Sequence, residues 1–272
     1  MSSPSLAIES LAEKSRTQSA SSFGILFYGA AAIGLGLIGF VWGDFATDWQ
    51  HVKPGTPFHG VLAYGTAALE LIGGAALFWR QSARWGAGIV TLVYTVFALL
   101  WAREIVATPL VWDRWGNLFE ELSIVISGAA VFASLSPSGS AWQRRTGLLC
   151  RLYGICPISF GMTHFLFIAA CASWVPAWLP FGGTFWIIVT GTCFMLAAFA
   201  ILTGICAGLA SLLNAIMIVE FELLVWIPKV VAAPQEHFMW SGNGICVALA
   251  AGAWAVADLI NRRPKPDSTQ AP

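Results

Sequence analysis

The stretch SPSGSAWQRRTG, residues 136–147, is short and polar. It carries Pro137, Gly139 and the adjacent Arg144 and Arg145, and nearly everything on either side of it is apolar. Gly, Pro and Ser clustered between periodic segments read as a connection. Working outward, the flanking tracts are too greasy for a soluble domain. The 272 residues are 57% hydrophobic and only 10% charged, against about 25% charged in ordinary soluble chains. Mean hydropathy is +0.73. Between Arg151 and Glu220 lie 68 residues without a formal charge. The chain reads as an integral membrane protein, all-α, because helices satisfy their own backbone hydrogen bonds in lipid.

Eight runs have about the 20 residues that a spanning helix needs: 23–42, 58–79, 85–102, 117–135, 148–172, 184–205, 207–227 and 240–260. Residues 1–22 and 261–272 read as polar tails. The apolar run after the first tail is long enough to span and is not followed by a clear cleavage site, so it reads as an anchor and not a signal peptide. Lys and Arg placement sets the expected orientation. Lys14, Arg16, Arg80, Arg84, Arg144, Arg145, Arg151, Arg262, Arg263 and Lys265 fall on one side, and Lys53, Arg103, Arg114 and Lys229 on the other. Both termini and the 136–147 connection are therefore expected in the cytoplasm, with the plasma membrane as the location. The outer connections are rich in Trp. Trp49, Trp101, Trp115, Trp174, Trp178, Trp226 and Trp240 form an interfacial aromatic belt or a structured outer cap.

A shift of 125 residues aligns the two sides of the connection without a gap. Tyr28-Gly29 falls on Tyr153-Gly154, Gly36 on Gly161, Trp49 on Trp174 and Leu71 on Leu196. Trp101 falls on Trp226, Pro109 on Pro234 and Trp115 on Trp240. The expectation is two four-helix units, 23–135 and 148–260, joined by 136–147. With four helices each, both copies enter from the same side, a parallel repeat about an axis along the membrane normal.

Ionisable residues inside a membrane are costly and mark function by default. Glu70 lies midway along the second run, and Glu220 and Glu222 lie in the seventh. Residues two apart point about 200° apart on a helix, so only one of that pair is expected to face the interior. His164 in the fifth run reaches nearly the height of Glu222, and a His164–Glu222 or His164–Glu220 hydrogen bond is expected. These four residues are the candidate ligand contacts or proton relay; the bland reading is a buried pair that locks the bundle. Glu120 and Glu121 are expected to open the fourth helix, where acidic groups favour the macrodipole. Asn243 likewise reads as a helix-start residue.

The six Cys residues all follow the connection, fall in or beside apolar runs, and read as packing residues. Zero net charge and no basic stripe exclude a nucleic-acid partner. The G-x-G-x-x-G at 34–39 lies inside an apolar run with no preceding strand, so it is no dinucleotide site. No metal-ligand spacing, P-loop or nucleophile elbow occurs.

With Glu70-Leu71-Ile72-Gly73-Gly74 in its second run, the first unit resembles the DoxX family of small four-helix membrane proteins, whose recurrent feature is E-L-x-G-G at that place. The second unit is similar to the DoxX-like branch, through Gly161-Met162-Thr163-His164-Phe165, Val175-Pro176-Ala177-Trp178-Leu179-Pro180 and Thr190-Gly191. It has Met195 where E-L-x-G-G places Glu, and the first unit has Gly39 where the branch places His. The resemblance implies a non-enzymatic subunit that binds quinone or lipid and supports a redox-enzyme partner in the bilayer. The residues also leave open a proton-coupled small-molecule transporter and a quinone-linked oxidoreductase. No cofactor is evident from the spacing itself.

Overall fold

The computed structural model describes residues 22–262, all helix and turn, with no strand among them. Except for Ser22, Asn261 and Arg262, the two tails lie outside the described residues. The helices are α1 (Phe23–Trp42), α2 (His59–Ala76), α3 (Ala83–Ala107), α4 (Trp112–Ser134), α5 (Ala141–Leu152), α6 (Ile155–Leu166), α7 (Ile168–Ala172), α8 (Gly183–Thr203), α9 (Ala207–Phe221), α10 (Ile227–Ala232) and α11 (His237–Asn261). Among the described residues, six segments are long and apolar enough to cross a membrane: α1, α3, α4, α8, the unbroken stretch Ala207–Ala232, and α11.

The second and fifth expected spans fall outside that set for separate reasons. Helix α2 has only 18 residues, and Gly65, Thr66, Glu70, Gly73 and Gly74 dilute its apolar content. The fifth run is divided. Pro157 has no N–H for an i→i−4 bond, so the chain turns at Tyr153-Gly154 and restarts as α6, with Pro157 in the first turn. It breaks again at Phe167. The connection itself is only partly a loop. Ser140 caps α5 by accepting from Gln143 N at 3.1 Å, and Gln143 Oε1 accepts from Gly139 N at 2.6 Å. This S-x-x-Q pattern resembles a capping box, with the Gln143 side chain reaching the N–H one residue before the N-cap.

Small residues set the helix spacing. A Cβ on Gly74 would lie 2.6 Å from Gly29 O, and one on Gly73 would lie 2.9 Å from Val90 Cγ2. The paired glycines of the E-L-x-G-G stretch thus let α2 close against α1 and α3 just beyond Glu70. Without a hydrophobic driving force in lipid, such close backbone approach is what holds helices together.

Helix α1 packs on α2 and α11, α3 on α2 and α4, and α4 also on α5, α6 and α11. Helix α8 packs on α6 and α9, and α9 on α11. The contacts close into one circuit, with α4 and α11 meeting inside it. Helix α11 is the most enclosed: 67% of its most apolar stretch is buried, against 28–50% in the other five spans. Its run of Gly and Ala makes this close fit attainable. A Cβ on Gly252 would lie 2.6 Å from Ser127 Oγ on α4, and these two residues are 125 apart in sequence. At the far end, Asp258 Oδ2 accepts from Gly24 N at 2.9 Å and tethers α11 to the start of α1. Thr108 and Ala233, also 125 apart, end their helices with nearly the same backbone angles, φ −145°, ψ 72° and φ −138°, ψ 65°.

Tyr28 crosses the first half and donates from its buried hydroxyl to Ile124 O at 2.8 Å. Tyr28→Phe is expected to cost about 1 kcal/mol, the net value of one such bond, seen as a lower thermal midpoint of the detergent-solubilised chain. An unchanged midpoint would show that this tie does not hold α1 to α4.

Candidate functional site

The sequence-predicted carboxyls do not share one environment. Glu70 on α2 is 1% exposed and is engaged through one oxygen. Its Oε1 accepts from Gln50 Nε2 at 2.7 Å and from Tyr94 Oη at 2.9 Å. Gln50 in turn is oriented by its own Oε1, which accepts from Ala46 N at 3.0 Å. Gln50 lies in the loop after α1 and Tyr94 on α3, so three separate elements converge on one carboxyl.

Of the Glu220 and Glu222 pair, Glu222 turns inward and Glu220 is exposed. The reason is local. Residues Glu222–Trp226 form a π turn, a widening that often marks functional sites; it absorbs the break that Pro228 imposes on the ladder. Asn243 Nδ2 donates to Glu222 Oε1, while the buried Glu222 Oε2 has no hydrogen-bond partner among the described residues. Asn243 is no helix-start residue, because α11 begins six residues earlier at His237.

The expected bond from His164 to Glu220 or Glu222 is not formed. His164 Nδ1 lies 2.8 Å from Phe160 O, one turn back on its own helix, and the ring stacks on Phe221 at 5.9 Å between centroids. A carbonyl only accepts, so Nδ1 carries the proton and Nε2 keeps its lone pair.

Glu120 and Glu121 correct the sequence reading most. Helix α4 starts at Trp112, with Asp113 in its first turn, so both glutamates sit more than two turns inside it. Trp49 Nε1 donates to Glu120 Oε2. Glu121 is 0% exposed, and neither of its oxygens has a hydrogen-bond partner among the described residues.

Of the tryptophans, Trp49, Trp174 and Trp226 form a cluster with Phe238. Trp49 meets Trp226 at 5.8 Å and Phe238 at 5.4 Å, and Trp174 meets Trp226 at 5.3 Å. Lys229 Nζ sits 3.9 Å over Trp174. Trp101 Nε1 donates to Trp49 O at 2.8 Å. Trp115 and Trp240 pin the loops before their helices by donating to Pro109 O and Pro234 O, each at 3.0 Å. Trp178 stands apart, 71% exposed.

Two cavities flank these groups. The larger, about 540 Å3, runs between α2 and α3. Its wall includes Leu62, Leu69, Leu92 and Val96, and its polar end is made by His51, Lys53, Arg103 and Glu104. At that end Lys53 Nζ lies 2.7 Å from Glu104 Oε1, and Arg114 Nη1 donates to Glu104 O at 2.9 Å. The His51 ring lies tilted against Trp101, with centroids 4.3 Å apart, and its buried Nε2 has no hydrogen-bond partner among the described residues and lies 3.9 Å from Glu104 Oε1. Partial burial pushes the His51 pKa below its usual 6.5, with Glu104 pulling the other way. The imidazole is therefore neutral at pH 7 and carries one N–H. The smaller cavity, about 150 Å3, lies where the two halves meet and is lined by Trp49, Glu120, Thr163, His164, Trp226 and Cys246 among others. Sequence reasoning missed His51, Gln50 and Tyr94 and placed Glu121 at a helix start; only the Trp49–Trp174 match pointed near them. Among the described residues, no three His, Cys, Asp or Glu side chains converge as a metal site.

No family model matches this chain, and neither the curated proteins nor the solved structures contain a match.

Proposed function

We propose that this chain is a non-enzymatic membrane subunit of DoxX-like type that holds a quinone in the α2–α3 groove and supports a redox partner. The groove carries the reading. At about 540 Å3 it has the volume for a ring and the start of an isoprenoid tail, its wall is mostly apolar, and it is polar at one end. A quinone presents two carbonyl acceptors, and His51, Lys53 and Arg103 are the donors beside which they would sit. In this reading α2 and the broken α5–α6–α7 segment complete eight crossings as two parallel four-helix units. The matched chain reversals at Thr108 and Ala233 support that arrangement, as does the meeting of Ser127 with Gly252. Both termini lie in the cytoplasm, and the membrane is the plasma membrane, as the Lys and Arg distribution suggests.

Purification in native lipid followed by mass spectrometry tests the proposal. Bound quinone is expected, and Leu92→Trp, which fills the groove, is expected to lower its occupancy at least tenfold. Recovery of phospholipid alone, or quinone retained at full occupancy by Leu92→Trp, would overturn it. The unpartnered Glu121 and Glu222 Oε2 favour a second reading, a proton-coupled transporter. Reconstituted protein would then show proton-coupled uptake that falls on Glu70→Gln or Glu222→Gln.

A further inference from the structure

We infer that the basic end of the bundle, where the first turn of α3 meets the start of α5, is a binding site for the headgroup of an anionic phospholipid. It does not depend on what the α2–α3 groove holds. Arg84 and the groove's Arg103 stand near opposite ends of α3, roughly 28 Å apart along its axis.

Two guanidiniums are set on one pair of rings. Arg84 Cζ lies 4.7 Å from the ring centroid of Phe132 on α4, and Arg145 Cζ lies 5.5 Å from that of Trp142 on α5. Phe132 and Trp142 meet edge to face at 5.5 Å, and Arg84 Cζ is also 5.6 Å from the ring of Trp85. The start of α3, the end of α4 and the start of α5 thus bring their basic side chains to one place. A cation–π contact steadies a guanidinium without using up its N–H donors. Among the described residues, neither guanidinium has a hydrogen-bond acceptor or an ion-pair partner, and Arg84 Nε is buried without one. The opposite end differs, because there Glu104 answers Lys53 and Arg114. The sequence explains the imbalance. Residues 71–103 and 122–219 contain no Asp or Glu, so the elements that build this site supply arginines and no carboxylate. Arg80 and Arg144, both exposed, add to the same charge.

Position and chemistry select a lipid. Helices α3 and α4 are both long and apolar enough to span. The site sits where one begins and the other ends, the level at which hydrocarbon gives way to headgroups. The surface around the arginines is apolar and aromatic: Trp85 is 65% exposed, Leu148 57% and Trp142 43%. Trp at this level bridges tails and headgroups. A soluble acidic protein would answer the charges but not this apolar surround. A phospholipid answers both, with its phosphate against the guanidiniums and its glycerol and chains against Leu148 and the rings. The planar guanidinium fork takes two phosphate oxygens at once. A zwitterionic lipid brings its own cation beside Arg80 and Arg144, whereas a net anionic one does not, so the site discriminates by headgroup charge.

Native mass spectrometry of the full chain, titrated in detergent with phosphatidylglycerol or phosphatidylcholine, tests this. One retained phosphatidylglycerol per chain is expected, bound about tenfold or more tighter than phosphatidylcholine and released as salt rises. Arg84→Gln and Arg145→Gln are each expected to weaken it severalfold, and the double variant to abolish the preference. Lys229→Gln removes one charge beside Trp174, at the opposite end, and is expected to leave the preference unchanged. If Arg84→Gln fails to fold, the exposed Arg145→Gln still decides. Equal retention of the two lipids, a preference indifferent to Arg145→Gln, or an equal loss with Lys229→Gln would each overturn the assignment. So would displacement by inorganic phosphate at equal concentration, which marks a free-anion site, or tighter binding of polyglutamate, which marks a protein surface. Leu92→Trp blocks only the groove, so phosphatidylglycerol retention is expected to survive it whether or not quinone is found.

Discussion

Gly74→Leu is expected to dismantle the first half of the molecule. The space a Cβ would need at position 74 is already taken by Gly29 O at 2.6 Å and by Ile33 N at 2.9 Å. Both are backbone atoms, so no rotamer change relieves the clash, and α1 must move off α2. Overpacking of a tight site costs about 1–3 kcal/mol and sometimes more. Here the upper end applies, because the same approach is reciprocated at Gly29, where a Cβ would lie 2.9 Å from Gly74 O. Displacing α2 also withdraws Glu70 from Gln50 and Tyr94. The expected result is a thermal midpoint lowered by about 6–12 °C and a loss of monodisperse protein in size-exclusion chromatography. Gly34→Leu is the matched control: nothing lies within 4 Å of its Cβ position, and its midpoint is expected to stay near that of the parent. Equal behaviour of the two variants would show that close α1–α2 contact is not what holds this half together.

Methionine in place of two equally buried glutamates is expected to act in opposite directions. Glu121 is 0% exposed and both of its oxygens lack partners. A buried polar group left unsatisfied costs about 1–3 kcal/mol, and Glu121→Met removes that cost while nearly conserving volume. The variant should unfold at a higher temperature than the parent. Glu70 is 1% exposed but receives Gln50 Nε2 and Tyr94 Oη. Glu70→Met leaves both donors stranded and should lower stability by about 1–3 kcal/mol. Chemical or thermal denaturation of the two variants side by side gives the sign of each. A destabilised Glu121→Met would mean that its carboxyl is satisfied by a group it meets only in the membrane.

Much of the architecture was legible from composition and pattern. Hydropathy finds the helices because every backbone polar group in lipid must be satisfied within its own segment. Trp115 and Trp240 each donate to the carbonyl of the proline six residues before, Pro109 and Pro234, a bond that the sequence matches did not specify. Helix starts were less legible. Placing the start of the fourth helix near residue 117 and not at Trp112 turned Glu120 and Glu121 into cap residues, when both lie well inside the helix and Glu121 is fully buried. The same error misread Asn243. Polar residues such as Trp112, Asp113, Arg114 and Asn117 lower a hydropathy window, yet they continue a helix as readily as apolar ones.

The sequence by itself determined that this is an all-helical, lipid-compatible chain, and that Glu70, Glu222 and His164 sit where charge is costly. Those are properties of single segments in a solvent. Tertiary structure alone decided that Glu70 is satisfied while Glu121 is not, and that Glu222 faces Asn243 in preference to His164. It also decided that Glu120 looks into a space walled by tryptophans. Each of these depends on which side chain of a distant helix arrives within about 3 Å, the range over which a hydrogen bond acts. That arrival is fixed by glycine-to-backbone contacts and by one π turn, and neither leaves a periodic mark in the chain.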